Sequence, residues 1–466
     1  MPALPLVASG SASHEVSTGI TLLFAALLVG LIVSLALEEK IHAKKSLIVG
    51  VFAVVCLFLA VALGIEPGTA EFNFLGHEMS LPVYIPAVDW GVIAIILGSS
   101  LFVDVTSKSG LFTWIAIKLT KASGGDPRRL LWFYGLMTVV FSAVLNNVTA
   151  MIIVGSLTGV SLRKLDREKQ LLGFLLVEGL LTNICGLLTL INSVPNIIVG
   201  TAAGISFVSF FVAAAPFVAV ATVVTILMGA KLFGIEGLTT EADKKQAAEQ
   251  VEGFDEKDGI DSWGFFYFGA AMLVLFIIVI ATTSVLPVIS ELGMGYVALS
   301  FAVIMLIRYK SSVDTYYRAV DWDLLGFFAA LFVVINVMEH AQVLTMIGHG
   351  LEKIIDMGEL AGSGLILVSA AVASSVTDNI PLAAMLAKIL SSLGTSSDSP
   401  LWWSVVFGAN LGGNITPIGS ASTLVAVTIM HKNKLEVSFG GFVKKAVPYA
   451  AVQIVLAVIY VLLVLR

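Results

Sequence analysis

Two short stretches hold side chains suited to grip a small solute or ion: SAVLNNVTAM, Ser142–Met151, and SSVTDNIPLA, Ser374–Ala383. Adding 232 to each number of the first gives the second, so Ser142 falls on Ser374, Asn146 on Asp378 and Asn147 on Asn379. A second pair, TNICGLLTLINSVPNIIV from Thr182 and ANLGGNITPIGSASTLVA from Ala409, matches at an offset of 227. There Asn183 pairs with Asn410, Gly186 with Gly413, Thr189 with Thr416 and Ile191 with Ile418. Amides and hydroxyls offer both donors and acceptors without charge. Asp378 adds one carboxylate, able to take up a proton, hold a cation or accept a hydrogen bond.

All four stretches interrupt apolar sequence. The 466 residues are 58% hydrophobic and 12% charged, with a mean hydropathy of +0.99. A soluble domain is about a quarter charged, so this chain lacks the polar surface to coat a globule in water. Apolar runs at Gly19–Leu37, Leu47–Ile65, Phe207–Ala230, Trp263–Ala281, Val297–Ile307 with its leader, and Phe442–Leu465 approach the length of about 20 residues that crosses a bilayer. In hydrocarbon, Pro195, Pro381 and Pro417 remove helix hydrogen bonds, and Gly186, Gly412, Gly413 and Gly419 permit unwound turns. Irregular backbone at that depth survives only where protein covers it or water lines it. Small and polar residues also serve helix packing, but four breaks in two matching pairs point to a midplane site fed by half-helix dipoles. Asp378 stands out, because a mid-span carboxylate costs roughly 2.5–3.5 kcal/mol on insertion scales and marks an ion or proton path. Glu178, five residues before Asn183, is a second proton-coupling position.

The elements that must position these groups form two halves. VDWGVIAIILGSS at Val88 matches VDWDLLGFFAALF at Val320, again at offset 232. Residues 1–235 make a first repeat, with a hairpin at about 130–160 and a broken span at about 171–200. Residues 262–466 make a second, with a hairpin at about 365–393 and a broken span at about 401–428. The charged segment 236–261 reads as a solvated cytoplasmic linker. Basic loops EEKIHAKK, KLTKASGGDPRR and RKLDREK place the N-terminus outside and both ends of the first hairpin inside. The fold expected is therefore an all-α polytopic membrane protein: two inverted-topology repeats, each about five transmembrane helices plus one re-entrant hairpin, with broken helices at the midplane.

Other chemistry is not supported. A net charge of −6 and the lack of a basic run argue against nucleic acid. Cys56 and Cys185 lie in apolar segments and read as core residues, with no metal-ligand spacing. The sequence has no nucleotide loop, zinc helix or nucleophile motif, so the chain reads as no enzyme and without cofactor. Transport would be driven by a proton gradient, or by Na+. Asp104, Glu339, Lys108 and His340 stand near segment ends and read as interfacial, as do Trp90 and Trp322.

The paired hairpins SAVLNNVTAMIIV and SSVTDNIPLAAML, with the break GGNITPIGSAST, resemble the ArsB/NhaD permeases of the ion transporter superfamily. That group holds arsenite exporters, sodium–proton antiporters and P-protein-like permeases. The resemblance covers about Val88–Ile198 and Val320–Val425. It implies an elevator-like secondary transporter of the bacterial or archaeal inner membrane, with Asn146, Asn147, Thr149, Asn183, Asn196, Asp378, Asn379, Asn410, Asn414 and Thr416 at the site. The expected partners are a small inorganic solute or ion and the lipid bilayer, with room for a homodimer or a separate ATPase subunit. The chain departs from its relatives at Asn146-Asn147, where they commonly carry Asp-Asn. Three activities fit: proton-coupled export of arsenite or antimonite, Na+/H+ antiport, and Na+-coupled carboxylate or anion symport. An amide-rich pocket with a single carboxylate suits the uncharged arsenite trihydroxide, which puts export first.

Overall fold

The computed structural model describes residues 16–66, 68–74, 77–145 and 147–465. The described residues are mostly helical, and eight of the described helices are long and apolar enough to cross a membrane. Their outward faces carry apolar side chains such as Phe58, Val54, Val212, Val274, Ile307 and Leu463. A surface of that kind is satisfied by lipid. Two strands, Thr69–Phe74 and His77–Pro82, pair antiparallel with Thr69 opposite Pro82. They lie in the segment between the helices Lys45–Ala62 and Trp90–Ser107.

Contacts divide the described chain into two compact units. One gathers the residues up to Ile93 with Asp321–Glu352; the other holds Ala94–Val320 with Lys353–Arg466. In the first unit the helix Lys45–Ala62 lies along Trp322–His340. Ser46 pins the start of that pair, its backbone N–H reaching Asp323 Oδ1 at 3.3 Å and its hydroxyl donating to the same oxygen.

The second unit contains all four polar breaks. Hairpin arms Pro127–Val144 and Asn147–Lys164 meet at Leu145, whose backbone is extended (φ −100°, ψ 154°). Arms Glu359–Val376 and Asn379–Ser392 meet at Thr377, 232 residues on and also extended (φ −123°, ψ 163°). Each broken span is a helix, an irregular stretch and a shorter helix. These are Leu171–Gly186 with Val194–Ala203, and Pro400–Gly412 with Ala421–Lys432. The second helices start where sequence chemistry directs. Pro195 occupies the first turn after Ser193, and the Ser420 side chain caps its helix by accepting from Thr423 N–H.

Packing is reciprocal. The first arm of each hairpin lies against the leading helix of its own broken span, and the second arm against the trailing helix of the other. The second hairpin approaches so closely that a Cβ on Gly412 would sit 2.2 Å from the Ala371 carbonyl oxygen, and one on Gly408 2.5 Å from that of Leu367. Only glycine permits this contact between backbones.

The segment 236–261 differs from the solvated loop read in the sequence. Glu241–Glu252 is a helix capped by Thr240, and Ala247, Val251 and Phe254 are buried. It docks on the helix Leu111–Ser123, with Lys118 and Lys121 both paired to Glu256.

Candidate functional site

The irregular stretches of the two broken spans are knotted together by side-chain amides. Asn183 Nδ2 donates to Asn414 Oδ1 and to Ser420 Oγ, each at 2.9 Å, and its Oδ1 accepts from Ser422 Oγ at 2.7 Å. In the counterpart, Asn410 Nδ2 donates to Asn196 Oδ1 at 2.9 Å, and its Oδ1 accepts from Ser193 Oγ at 2.8 Å. Asn196 Nδ2 donates to the carbonyls of Gly186 (2.6 Å) and Thr189 (2.9 Å). Thr423, 227 residues on, reaches those of Gly413 (3.3 Å) and Thr416 (3.5 Å). Asn414 Nδ2 donates to Leu180 O and to Gln453 Oε1, and Gln453 passes the chain to Thr225. Asn183, Asn196, Asn410 and Asn414 are at most 1% exposed. Buried amides satisfied at both ends rigidify what they join.

The hairpin tips attach to this knot through their own halves. Thr189 Oγ1 donates to Ala143 O at 3.1 Å, and Thr416 Oγ1 to Ser375 O at 2.5 Å. Ser374 Oγ donates to Ala409 O. Asn192 Nδ2 reaches Cys185 O at 3.1 Å and also bonds Ser142 O. Thr189 and Thr416, equivalent at one offset, thus bond carbonyls equivalent at the other.

The tips differ from the knot in what they leave open. Asn147 is half-buried against Gly186. Its Oδ1, with Ser142 Oγ and Asn192 Oδ1, is buried and has no hydrogen-bond partner among the described residues. Asn146 lies outside the described residues, and Thr149 sits half-buried in the first turn after the tip. At the second tip Asp378 is half-buried and caps Asn379–Ser392, its Oδ1 accepting from Ile380 N–H at 3.1 Å; Asn379 is 7% exposed. Four helices therefore begin at the breaks, at Asn147, Val194, Asn379 and Ala421. A helix N-terminus carries the positive end of its dipole.

Sequence reasoning found the asparagines of the knot but missed Ser193, Ser420, Asn192 and Gln453. The two serines were visible in principle, since they stand 227 residues apart like the asparagines they bond. Gln453 carried no such signal, being a lone polar residue in the last span. Glu178 is fully buried in Leu171–Gly186, with Thr158 donating to its Oε1 at 2.6 Å.

A helical membrane protein with paired hairpins meeting broken spans is the architecture of a secondary transporter. The chain belongs to the family described as citrate transporter, CitMHS, whose pattern matches residues 35–408. It is similar to the uncharacterized transporter Rv2684 of Mycobacterium tuberculosis, 31% identical over 80% of this chain and 86% of that one. It also resembles the uncharacterized transporter slr0753 of Synechocystis, 25% identical over 80% and 85%. The human P protein is 23% identical over 92% of this chain, which spans 60% of that protein. Among solved structures, the Alcanivorax borkumensis YdaH transporter superposes with a TM-score of 0.58 over 90% of this chain and 98% of its own, at 14% identity. That likeness concerns the fold.

Proposed function

We propose that the protein is a cation-coupled secondary transporter of a small carboxylate, citrate being the first to test. The observation that carries this reading is the first hairpin tip. Ser142 Oγ, Asn147 Oδ1 and Asn192 Oδ1 are buried oxygens without a hydrogen-bond partner among the described residues, and a buried polar atom left unmet costs about 1–3 kcal/mol. Hard cations take oxygen ligands, so a sodium ion is the kind of partner these oxygens lack. The helix N-termini at the breaks favour an anion, and a family described as citrate transporter suggests the class of anion. Asn147, Thr149, Asp378 and Asn379 would face the solute; Asn183, Asn196, Asn410, Asn414 and Thr416 would hold the breaks that frame it. The resemblance to superfamily permeases adds an elevator-like cycle.

A second reading rests on Asp378. A single carboxylate at the tips suits proton-coupled antiport, either of arsenite or antimonite or of Na+, as the ArsB/NhaD resemblance implies. Uptake of labelled citrate into proteoliposomes, under imposed sodium or proton gradients, separates the two. The first reading predicts gradient-driven citrate accumulation that excess unlabelled citrate competes away and arsenite does not. Sodium- or arsenite-driven proton movement without citrate flux would replace it with the second, and Asp378→Asn would then abolish that proton movement.

A further inference from the structure

We propose that Glu178 is a proton-binding residue, reached from the open end of the first hairpin along a chain of buried hydroxyls. Its surroundings suit neither fixed state. Oε1 accepts from Thr158 at 2.6 Å, while Oε2 is buried with no partner among the described residues. A permanently ionised carboxylate so buried would need further donors, and a permanently neutral one would need an acceptor for its own O–H. A carboxyl that alternates is served by one donor and one open side.

The chain of hydroxyls starts at Thr120, in Leu111–Ser123 beside the docked linker. Thr120 Oγ1 lies 2.8 Å from Tyr134 Oη, which lies 2.7 Å from Ser161 Oγ. All three are buried, at 0%, 1% and 5% exposure. Ser161 and Thr158 are three residues apart on one helix, hence on one face and about 4.5 Å apart along the axis. One water between the two hydroxyls would link them, and Thr158 completes the line to Glu178. Beyond Glu178, Asn183 is five residues or about 7.5 Å further along the same helix, so the carboxyl stands between the hairpin's open end and the amide knot.

Among the described residues, the elements packed against this helix bring no charged side chain to Glu178. Pro127–Val144 brings Tyr134 within electrostatic reach, and Ala421–Lys432 brings Ala426 against Gly179. Arg128, Arg129, Arg163, Lys164, Lys231, His431 and Lys432 stand at or near helix ends, and Lys444 and Lys445 near the start of Phe439–Leu463. Tyr449 and Cys185 are the other titratable side chains buried in these elements. The transfer breaks and forms only O–H bonds. A proton arriving at Thr120 releases that hydroxyl's own, which turns from the Ala116 carbonyl it is donated to at 2.8 Å toward Tyr134. Each oxygen in turn accepts one and releases one, until the Glu178 carboxylate becomes a neutral acid; the reverse sequence discharges it.

This assignment deepens the transport reading and rests on it for its purpose, so its test uses no transported solute. Infrared difference spectra between acid and alkaline pH are recorded on the full chain in lipid vesicles, without carboxylate substrate. The expected result is a protonated-carboxyl C=O band that titrates, is lost in Glu178→Gln and moves in Glu178→Asp, which retains the acid if the glutamine variant fails to fold. After a pH jump, Tyr134→Phe should equilibrate severalfold more slowly, with the band itself retained. A Glu178 band that never titrates, or no band of its own, overturns the proton site. Wild-type relaxation in Tyr134→Phe overturns the route. Absence of citrate flux alongside a titrating band would count against the carboxylate reading and leave the proton site standing.

Discussion

At the scale of single residues, two kinds of asparagine share one sequence signature. Asn410 is bonded at both ends, and truncating it leaves the Asn196 oxygen and the Ser193 hydroxyl without their partner. Asn410→Ala should therefore cost about 1–3 kcal/mol for each group left unmet, read as a lower melting temperature in detergent. Asn147→Ala removes an acceptor, Oδ1, that has no partner among the described residues, so it should melt like the wild type while losing transport. Equal losses of stability in the two variants would contradict the division. Residue type and offset made the asparagines legible as a group. Which of them bond one another depends on distances across the fold that no spacing encodes.

Glu66, outside the apolar spans, gives a pH signature. Its side chain is fully buried, with the Asn336 amide on Oε1, His340 Nδ1 3.6 Å away and Oε2 without a partner among the described residues. Burial pushes its carboxyl above the usual range, while His340 and Asn336 pull it back. A carboxyl raised in the folded state contributes stability that is fully present below its unfolded value and is lost as pH rises through the folded one. Thermal unfolding should thus show wild-type stability falling across that window, with the slope reduced in Glu66→Gln. Identical pH profiles would remove Glu66 as the cause.

Among the elements, the hairpins and broken spans were the most legible, because proline, glycine and asparagine inside apolar runs leave few alternatives. The extended residues Leu145 and Thr377 fall within the expected breaks. The linker helix was not legible. Its buried face rests on Ala247 and Val251, with Phe254 just beyond its end, too few apolar positions to register against a charged background. Helix contacts allow a sharper test. Gly412→Ala would drive a Cβ to 2.2 Å from the Ala371 carbonyl, an overlap expected to cost about 1–3 kcal/mol. A variant at Gly440, where nothing lies within 4 Å of the added Cβ, is the control. Unchanged melting of Gly412→Ala would mean that the second hairpin does not pack this tightly on Pro400–Gly412.

For the molecule as a whole, composition fixed the membrane assignment, since 12% charge leaves no other way to cover 58% apolar residues. The repeat was visible in sequence as two halves. The compact units cut across those halves, each drawing on both, because contacts follow space and not chain order. Both tips belong to one unit, and the account holds that they act together on one solute. The most direct test is exchange of labelled citrate across vesicles in Asn147→Ala and Asn379→Ala, one variant for each tip. The account predicts that either substitution alone abolishes exchange in protein that still melts normally. Wild-type exchange in either variant would show that its tip takes no part in handling the solute, and would contradict the claim.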